Sequence, residues 1–326
     1  MITNKPTLAD KPTLGVAPGR RLLSFVALTG AVATFVVVGL VGLYRYVDSF
    51  WLYRGFPPPH DPSFVRDFGT FETIRVTSAA IGGRSQRVVV YLPPGYAQTP
   101  LQRYPVFYLL HGFPGNPDGF VRTVRVGVVE DTLLAQHQLQ PMIIVMPFGS
   151  SGTFTDEEWV NGIRPHENWE TFLTRDVVQA IDSHYRTIPN GAGRALGGLS
   201  EGGYASLNIG LHHPGLFRVL ESWSGYQKAD SVKAIFGGQT ARIRRNSPLA
   251  TLQHAAAKLR RAHTFVWFYT GQDDTLLHQN MLFDAELQRA RVAHQFFVIP
   301  GGHTWALWRD NAWQAMQVAS AHLAHG

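Results

Sequence analysis

Short apolar runs alternate with segments of helical spacing between residues 69 and 323. Residues 105–110 and 142–146 are short, continuous apolar runs, which are typical of strands covered on both faces of a sheet. Residues 170–185 place apolar side chains at helical spacing, so we predict an amphipathic helix that packs on that sheet. The alternation of strands with helices predicts an α/β domain with a mostly parallel central sheet and helices on both faces.

The other predicted elements continue this alternation. Further strands are predicted at 70–77, 87–92, 194–196, 219–223, 264–269 and 295–299, and further helices at 204–211, 280–290 and 306–323. We expect the first two strands, 70–77 and 87–92, to pair in an antiparallel manner at the start of the sheet.

Residues 224–263 leave room for a few helices but not for a large lid domain, so we expect a fairly open cleft.

The N-terminal region has a different pattern. Residues 22–43 carry no charge, and a run of that length exceeds the roughly 20 apolar residues that cross a bilayer as a helix. Arg20 and Arg21 stand directly before it, which places the N-terminus in the cytoplasm and the remainder outside. We therefore predict a transmembrane anchor over 22–44. A signal peptide removed on secretion is the alternative, although its apolar core is usually about 7 to 15 residues.

The segments on either side of the anchor complete the predicted organisation. Residues 1–21 contain three prolines with polar spacers and predict a disordered cytoplasmic tail. Residues 45–68 include the run Phe-Pro-Pro-Pro-His-Asp-Pro and predict a stiff linker. Residues 69–326 are predicted to form one folded domain, because a chain that is 45% hydrophobic can bury one large core.

Charge and composition exclude several classes of function. The net charge of +6 is moderate, and no basic stripe interleaved with aromatic residues predicts nucleic acid binding. The absence of cysteine excludes disulfides and thiolate metal sites. The run Asp156-Glu157-Glu158 lacks the spacing of a calcium loop, so we expect a solvated loop face there. No metal and no cofactor are predicted.

One short motif carries candidate chemistry. Residues 198–202 read Gly-Leu-Ser-Glu-Gly, which matches the G-x-S-x-G pattern of a nucleophile elbow. In an elbow, a sharp turn between a strand and a helix holds the serine hydroxyl over a cleft. The predicted strand at 194–196 and helix at 204–211 supply that context, so Ser200 is the candidate nucleophile.

A serine hydroxyl needs a base, and the base needs a group that fixes its tautomer. His303 lies on a glycine-rich loop directly after the last predicted strand and is the candidate base. The preceding strand is followed by Asp273 and Asp274, and we favour Asp274 as the acid with Asp273 as the alternative. The order Ser200, Asp274, His303 is that of α/β-hydrolases and differs from chymotrypsin and subtilisin.

The carbonyl attacked by a serine becomes an oxyanion that needs preorganised N–H donors. We predict one donor to be the backbone N–H of Glu201, which follows the nucleophile. The other is predicted to be the backbone N–H of Phe113, in the loop His-Gly-Phe-Pro-Gly at 111–115. The glycines of that loop allow it to bend over the elbow.

Taken together, these segments resemble a known family. Residues 88–96, 104–112, 198–204, 213–217 and 301–308 are similar to motifs of the Putative esterase family. That family includes feruloyl and acetylxylan esterases, S-formylglutathione hydrolases, enterochelin esterases and secreted mycolyltransferases. The resemblance covers about residues 70–324. It implies an α/β-hydrolase fold with nucleophile, acid and base at Ser200, Asp274 and His303.

The chain departs from the family pattern at two positions. Members often have methionine after the nucleophile, where this chain has Glu201, and an aspartate after the histidine, where this chain has Thr304. A carboxylate pointing into the oxyanion hole would disfavour the developing negative charge. We therefore expect the Glu201 side chain to turn away from it.

Three functions follow as hypotheses. The first is a membrane-anchored serine esterase that acts outside the cytoplasm, through an acyl-enzyme, on a small-molecule or cell-envelope ester. The second is an acyltransferase of the mycolyltransferase type that uses the same three residues. The third is a non-catalytic binding protein with a hydrolase fold.

Overall fold

The computed structural model describes residues 18–46, 60–152 and 155–326. The chain divides into two units, Met1–Phe56 and Pro57–Gly326, and each is described by itself. Most of the predicted tail (1–21) and about half of the predicted linker (45–68) lie outside the described residues. Those two predictions therefore stay predictions.

The first unit contains one long helix, α1 (Pro18–Tyr46). Within it, Phe25–Tyr44 is a stretch of 20 residues with a mean hydropathy of 2.3. Among the described residues, this is the one helix long and apolar enough to cross a membrane. A signal anchor and a signal peptide both have this character.

The second unit is organised around one eight-stranded sheet. Its strands are β1 (Thr70–Ser78), β2 (Arg84–Leu92), β3 (Val106–Leu110), β4 (Ile143–Pro147), β5 (Arg194–Gly198), β6 (Val219–Trp223), β7 (Phe265–Gly271) and β8 (His294–Ile299). Their order across the sheet is β1-β2-β4-β3-β5-β6-β7-β8. The pairs β1–β2 and β2–β4 are antiparallel, and every later pair is parallel. The predicted mostly parallel sheet with an antiparallel start is confirmed.

Helices cover both faces of this sheet. They are α2 (Val126–Ala135), α3 (Trp169–Thr171), α4 (Val178–His184), α5 (Glu201–His212), α6 (Thr240–Arg245), α7 (Pro248–Arg261), α8 (Leu277–Ala290) and α9 (Trp305–His322). A π-helical turn, Phe172–Val177, joins α3 to α4 and completes the predicted amphipathic helix. Residues 224–263 hold α6, α7 and a short 3₁₀ turn, in agreement with the expectation of a few helices.

The strands bury alternate side chains in two hydrophobic cores. In β3, Val106, Tyr108 and Leu110 point into the core that includes side chains of α4, α5, α7 and α8. Phe107 and Leu109 point into the opposite core, which includes side chains of α2 and α9. This two-sided burial explains why β3 is a continuous apolar run rather than an alternating one.

The parallel strands bring their carboxyl ends to one edge of the sheet. Four segments leave that edge, namely the loop after β3, the turn between β5 and α5, the loop after β7 and the loop after β8. In open α/β sheets, ligands bind outside the carboxyl ends of the strands. Every sequence-predicted site residue lies in one of these four segments.

Candidate active site

Ser200 occupies a strained turn between β5 and α5. Its backbone torsions are φ 55° and ψ −118°, a conformation that residues with a side chain rarely adopt. A residue held in such a conformation costs on the order of 1–3 kcal/mol and persists only where its surroundings impose it. Here the N–H of Ser200 donates to the carbonyl of Trp223 at 2.9 Å, which ties the turn to the end of β6.

The glycines around Ser200 are required by close backbone contact with β3. A Cβ atom on Gly202 would lie 1.9 Å from the carbonyl oxygen of Leu110, and one on Gly198 would lie 2.4 Å from it. No side chain fits at either position without moving the strand. The pattern G-x-S-x-G is therefore a packing requirement of this turn.

His303 connects the turn to the acid. Its Nε2 lies 2.9 Å from Ser200 Oγ, and its Nδ1 lies 2.8 Å from Asp274 Oδ2. Because a carboxylate accepts, Nδ1 carries the proton and donates it to Asp274, which leaves Nε2 to accept from the serine hydroxyl. The His303 side chain is 35% exposed, whereas that of Asp274 is fully buried.

Asp274, and not Asp273, contacts the histidine. Asp273 is exposed and uses its backbone N–H to donate to the carbonyl of Gly301. The second carboxylate oxygen of Asp274 accepts from the N–H of Leu276 at 2.9 Å. Burial alone would raise the pKa of Asp274, but the hydrogen bonds from His303 and Leu276 outweigh it and hold the pKa below its usual value.

Ser224 is a neighbour of Asp274 that the sequence analysis missed. It directly follows β6, is fully buried, and has φ 55°. Its N–H donates to the carbonyl of Tyr269 on β7, and its hydroxyl helps to hold the pKa of Asp274 low. The hydroxyl forms no hydrogen bond within the described residues, so it acts on Asp274 as a nearby dipole. Its position directly after a central strand is the signal that could have found it.

The loop after β3 lies against the serine. A Cβ on Gly112 would be 3.0 Å from the Cβ of Ser200 and 3.1 Å from the carbonyl oxygen of Leu199. The bond between Phe113 and Pro114 is cis, and the Phe113 side chain is 43% exposed. The N–H of Glu201 is the first of α5 and lacks an acceptor within its helix.

His111 fixes the start of that loop. Its Nδ1 donates to the carbonyl of Gly112 at 3.0 Å, and its Nε2 accepts from the N–H of Gly149 at 3.2 Å. Its carbonyl accepts from the indole N–H of Trp159 at 3.2 Å. Burial lowers the pKa of His111 to about 4, so the ring is neutral near pH 7 and can both donate and accept.

The side chain of Glu201 faces an acidic cluster instead of the serine. One carboxylate oxygen from each of Asp156, Glu158 and Glu201 lies within 4.8 Å of the other two. The expectation of a solvated face at residues 156–158 is therefore wrong for two of its members. Glu157 is 5% exposed and Glu158 is 3% exposed, whereas Asp156 is exposed. The fully buried Trp159 follows them directly, so the chain enters the core at this point.

Comparison with known proteins places these features in a family. Residues 78–317 match the family described as Putative esterase. An endo-1,4-beta-xylanase/feruloyl esterase of Xylanibacter ruminicola is 34% identical over 154 residues, which are 44% of this chain and 20% of that protein. A diacylglycerol acyltransferase/mycolyltransferase of Mycobacterium leprae is 28% identical over 37% of this chain and 36% of its own length. The chain thus spans only about a fifth to a third of these two relatives.

A solved structure agrees with the fold. A ferulic acid esterase superposes with a TM-score of 0.69 at 27% identity, over 79% of this chain and all of that one. Since the family match covers well over half of the chain and includes the segments of Ser200, Asp274 and His303, the protein belongs to the Putative esterase family.

Proposed function

We propose that this protein is a membrane-anchored carboxylic-ester hydrolase that acts outside the cytoplasm through Ser200, His303 and Asp274. The observation that carries the proposal is the continuous hydrogen-bond chain from Asp274 to His303 to Ser200, with links of 2.8 and 2.9 Å. A strained serine turn at the carboxyl edge of a parallel sheet is the expected setting for such chemistry.

In the acylation step, Ser200 Oγ attacks the ester carbonyl while His303 Nε2 removes its proton. The charge that forms on the imidazole is stabilised by the Asp274 carboxylate, which stays ionised because its pKa is low. The tetrahedral intermediate then expels an alkoxide, which takes the proton from Nε2 and leaves as the alcohol. The product is an ester between the acyl group and Ser200.

In the deacylation step, water attacks the acyl-enzyme carbonyl and His303 takes a proton from that water. Collapse of the second tetrahedral intermediate breaks the bond to Ser200 Oγ, which recovers its proton from His303. The carboxylic acid leaves and the enzyme returns to its starting state. Both intermediates carry a negative oxygen.

We assign the stabilisation of that oxygen to the backbone N–H groups of Phe113 and Glu201. Support comes from the packing of Gly112 on Ser200 and from the position of Glu201 at the free amino end of α5. One such donor contributes on the order of 3 kcal/mol to the transition state. The His111 hydrogen bonds preorganise the first donor by holding the 111–115 loop in place.

The relatives and the openness of the site support the proposed substrate class. The exposed Phe113 ring follows Gly112, which packs on Ser200, and suits an aromatic or other apolar acyl group. The partly exposed His303 and the lack of a large insertion in 224–263 favour an open cleft. We assign the substrate to small-molecule or cell-envelope esters.

Helix α1 supports the proposed location. An apolar stretch at Phe25–Tyr44 preceded by Arg20 and Arg21 supports a signal anchor with the catalytic domain outside. Its test is N-terminal sequencing of the membrane fraction, together with the access of an external protease to the domain in intact cells. Recovery of the mature domain in the medium, cut after α1, would instead identify a secreted enzyme.

Acyl transfer is the second candidate, favoured by the sequence similarity to the mycolyltransferase. A sugar or glycerol hydroxyl would replace water in the deacylation step. Product analysis with and without glycerol or trehalose separates the two, because transfer converts free acid into a new ester. Exclusive release of acid across acceptors identifies a hydrolase.

A fluorophosphonate probe tests the nucleophile itself. We expect the full-length chain in detergent to be labelled at Ser200 and the variant Ser200→Ala to be unlabelled. Ser183→Ala, which changes an exposed serine on α4, serves as the matched control and retains labelling. An unlabelled wild-type protein that is folded would favour the non-catalytic binding protein.

A further inference from the structure

The acidic cluster beside the nucleophile has the composition of a cation site. Its members come from two segments of the chain. Asp156 and Glu158 lie just before the buried Trp159, and Glu201 is the first residue of α5. Glu158 and Glu201 are 3% and 5% exposed, so neither carboxylate is hydrated by bulk water. Taking an ionised carboxylate out of water costs several kcal/mol unless a partner compensates it.

The described residues place no lysine, arginine or histidine in an ion pair with any of the three carboxyl groups. Three carboxylates with oxygens within 4.8 Å of one another repel each other unless protons or a cation neutralise them.

A second observation points to a ligand. Oε2 of Glu158 is fully buried and has no hydrogen-bond partner in the described chain. It belongs to the carboxylate that faces Asp156 and Glu201. A buried oxygen without a donor loses its interaction with water and gains nothing in return, which native structures normally avoid. A metal ion would satisfy it.

We propose that Asp156, Glu158 and Glu201 bind one divalent cation of the calcium class. Two oxygens bound to the same Ca²⁺ at about 2.3–2.6 Å lie at most about 5 Å apart. The limit of 4.8 Å for all three pairs of carboxylate oxygens meets this condition. Three carboxylates supply only part of the six to eight oxygens that Ca²⁺ takes. The exposed Asp156 leaves a path for the ion and for water ligands.

The bound ion would act on the neighbouring turn. Glu201 follows Ser200 directly, so a ligand bond to its carboxylate anchors the first residue of α5 to the 156–159 loop. The same loop ends at Trp159, whose indole N–H donates to the carbonyl of His111. The ion would therefore connect the serine turn to the loop that begins at His111. This consequence rests on the proposed function, whereas the binding of the cation does not.

The test uses Tb³⁺, which occupies Ca²⁺ sites and emits when a nearby tryptophan is excited. The full-length chain in detergent is stripped with a chelator, dialysed free of it, and titrated with Tb³⁺ under excitation at the tryptophan band. We expect saturable emission sensitised by Trp159 and displaced by Ca²⁺. Glu158→Gln and Glu201→Gln should each weaken Tb³⁺ binding at least tenfold. The control Glu167→Gln changes a glutamate outside the cluster and should bind as wild type.

Thermal unfolding of the wild-type chain gives an independent readout. Saturating Ca²⁺ at a hundredfold excess over its Kd should raise Tm by about 5–10 °C over the chelator-treated protein. Absence of both saturable emission and a Tm shift at millimolar Ca²⁺ would overturn the proposal. It would mean that protons, and not a cation, neutralise the three carboxyl groups. Emission that is unchanged in both glutamine variants would also overturn it. Fluorophosphonate labelling on the same samples reports on the catalytic proposal separately.

Discussion

The hydroxyl of Ser224 lies against the carboxyl of Asp274, the group that accepts the hydrogen bond from His303 Nδ1. Ser224 is held there by its N–H bond to Tyr269 and by complete burial. The carboxyl group of Asp274 accepts two hydrogen bonds, from His303 Nδ1 and from the N–H of Leu276, and the nearby Ser224 hydroxyl adds to them in holding its pKa low. Such a set fixes both the charge of Asp274 and its orientation.

The first prediction concerns this contact. We expect Ser224→Ala to lower kcat about tenfold with little change in KM, because the buried hydroxyl favours the ionised form of Asp274 that stabilises the charged imidazole. The substrate does not contact this buried residue, so ground-state binding should be unaffected. Steady-state kinetics measure the split between kcat and KM. A rise in KM with an unchanged kcat would contradict a positioning role.

Asp274 and Asp273 provide a matched pair for the second prediction. Asp274→Asn should reduce kcat by about 10⁴, because the amide no longer holds His303 in the required tautomer. Asp273→Asn removes an exposed carboxylate that does not contact the histidine and should leave kcat within about twofold. Comparison of the two variants in one ester assay checks this. Similar losses in both would contradict the assignment of the acid.

The third prediction concerns the approach of the serine turn to β3. Gly202→Ala would place a methyl group 1.9 Å from the carbonyl oxygen of Leu110, so the strand or the helix must move. We expect a loss of about 1–3 kcal/mol in the free energy of unfolding and a large loss of activity. In Gly302→Ala, the new Cβ meets only ordinary contacts at 3.7 and 3.9 Å, so stability should stay near wild type. Denaturant unfolding of both variants measures the two free energies of unfolding. Equal stability of Gly202→Ala and the wild type would contradict the prediction.

The fourth prediction concerns a buried carboxylate away from the site. Glu170 hydrogen-bonds His212 and His213 at the end of α5. Burial would raise the pKa of Glu170, but the two histidines outweigh it and lower the pKa to about 2. Burial would lower the pKa of His212, but Glu170 outweighs it and raises that pKa. Both groups therefore bind each other in their charged forms.

The pH dependence of stability follows from these two shifts. The contribution of Glu170 is present above its ordinary pKa of about 4.3 and is lost as the pH falls towards about 2. The contribution of His212 is present below about 6.5 and is lost as the pH rises through its raised pKa. We expect Glu170→Gln to cost about 2 kcal/mol near pH 5.5, and less near pH 3 and pH 9. Denaturant unfolding across this range measures it, and a pH-independent loss would contradict the account.

Strands and site residues were predictable where the pattern is local. Continuous apolar runs predicted the central strands, because two-sided burial leaves no polar alternation. Ser200 was predictable because a strained turn demands glycines at fixed spacing. His303 and Asp274 were predictable from their positions directly after strands of a parallel sheet.

Features that depend on tertiary packing were not predictable. Helix α2 is buried on nearly all sides, including Glu130 and Asp131, so it shows no one-sided apolar stripe. Helix α5 begins at Glu201, earlier than predicted, because Gly202 and Gly203 disfavour a helix by propensity but are required by close packing. The contact between Glu158 and Glu201 joins residues far apart in sequence, and no spacing rule indicates it.

The most direct test of the central claim is the hydrolysis of p-nitrophenyl esters, from acetate to long acyl chains, by the full-length chain in detergent. We predict turnover by the wild-type protein and by the Ser183→Ala control, with a loss of at least about 10⁴-fold in kcat for Ser200→Ala. The preferred chain length then reports the size of the acyl site. Turnover that survives Ser200→Ala in a preparation free of other esterases would contradict the account.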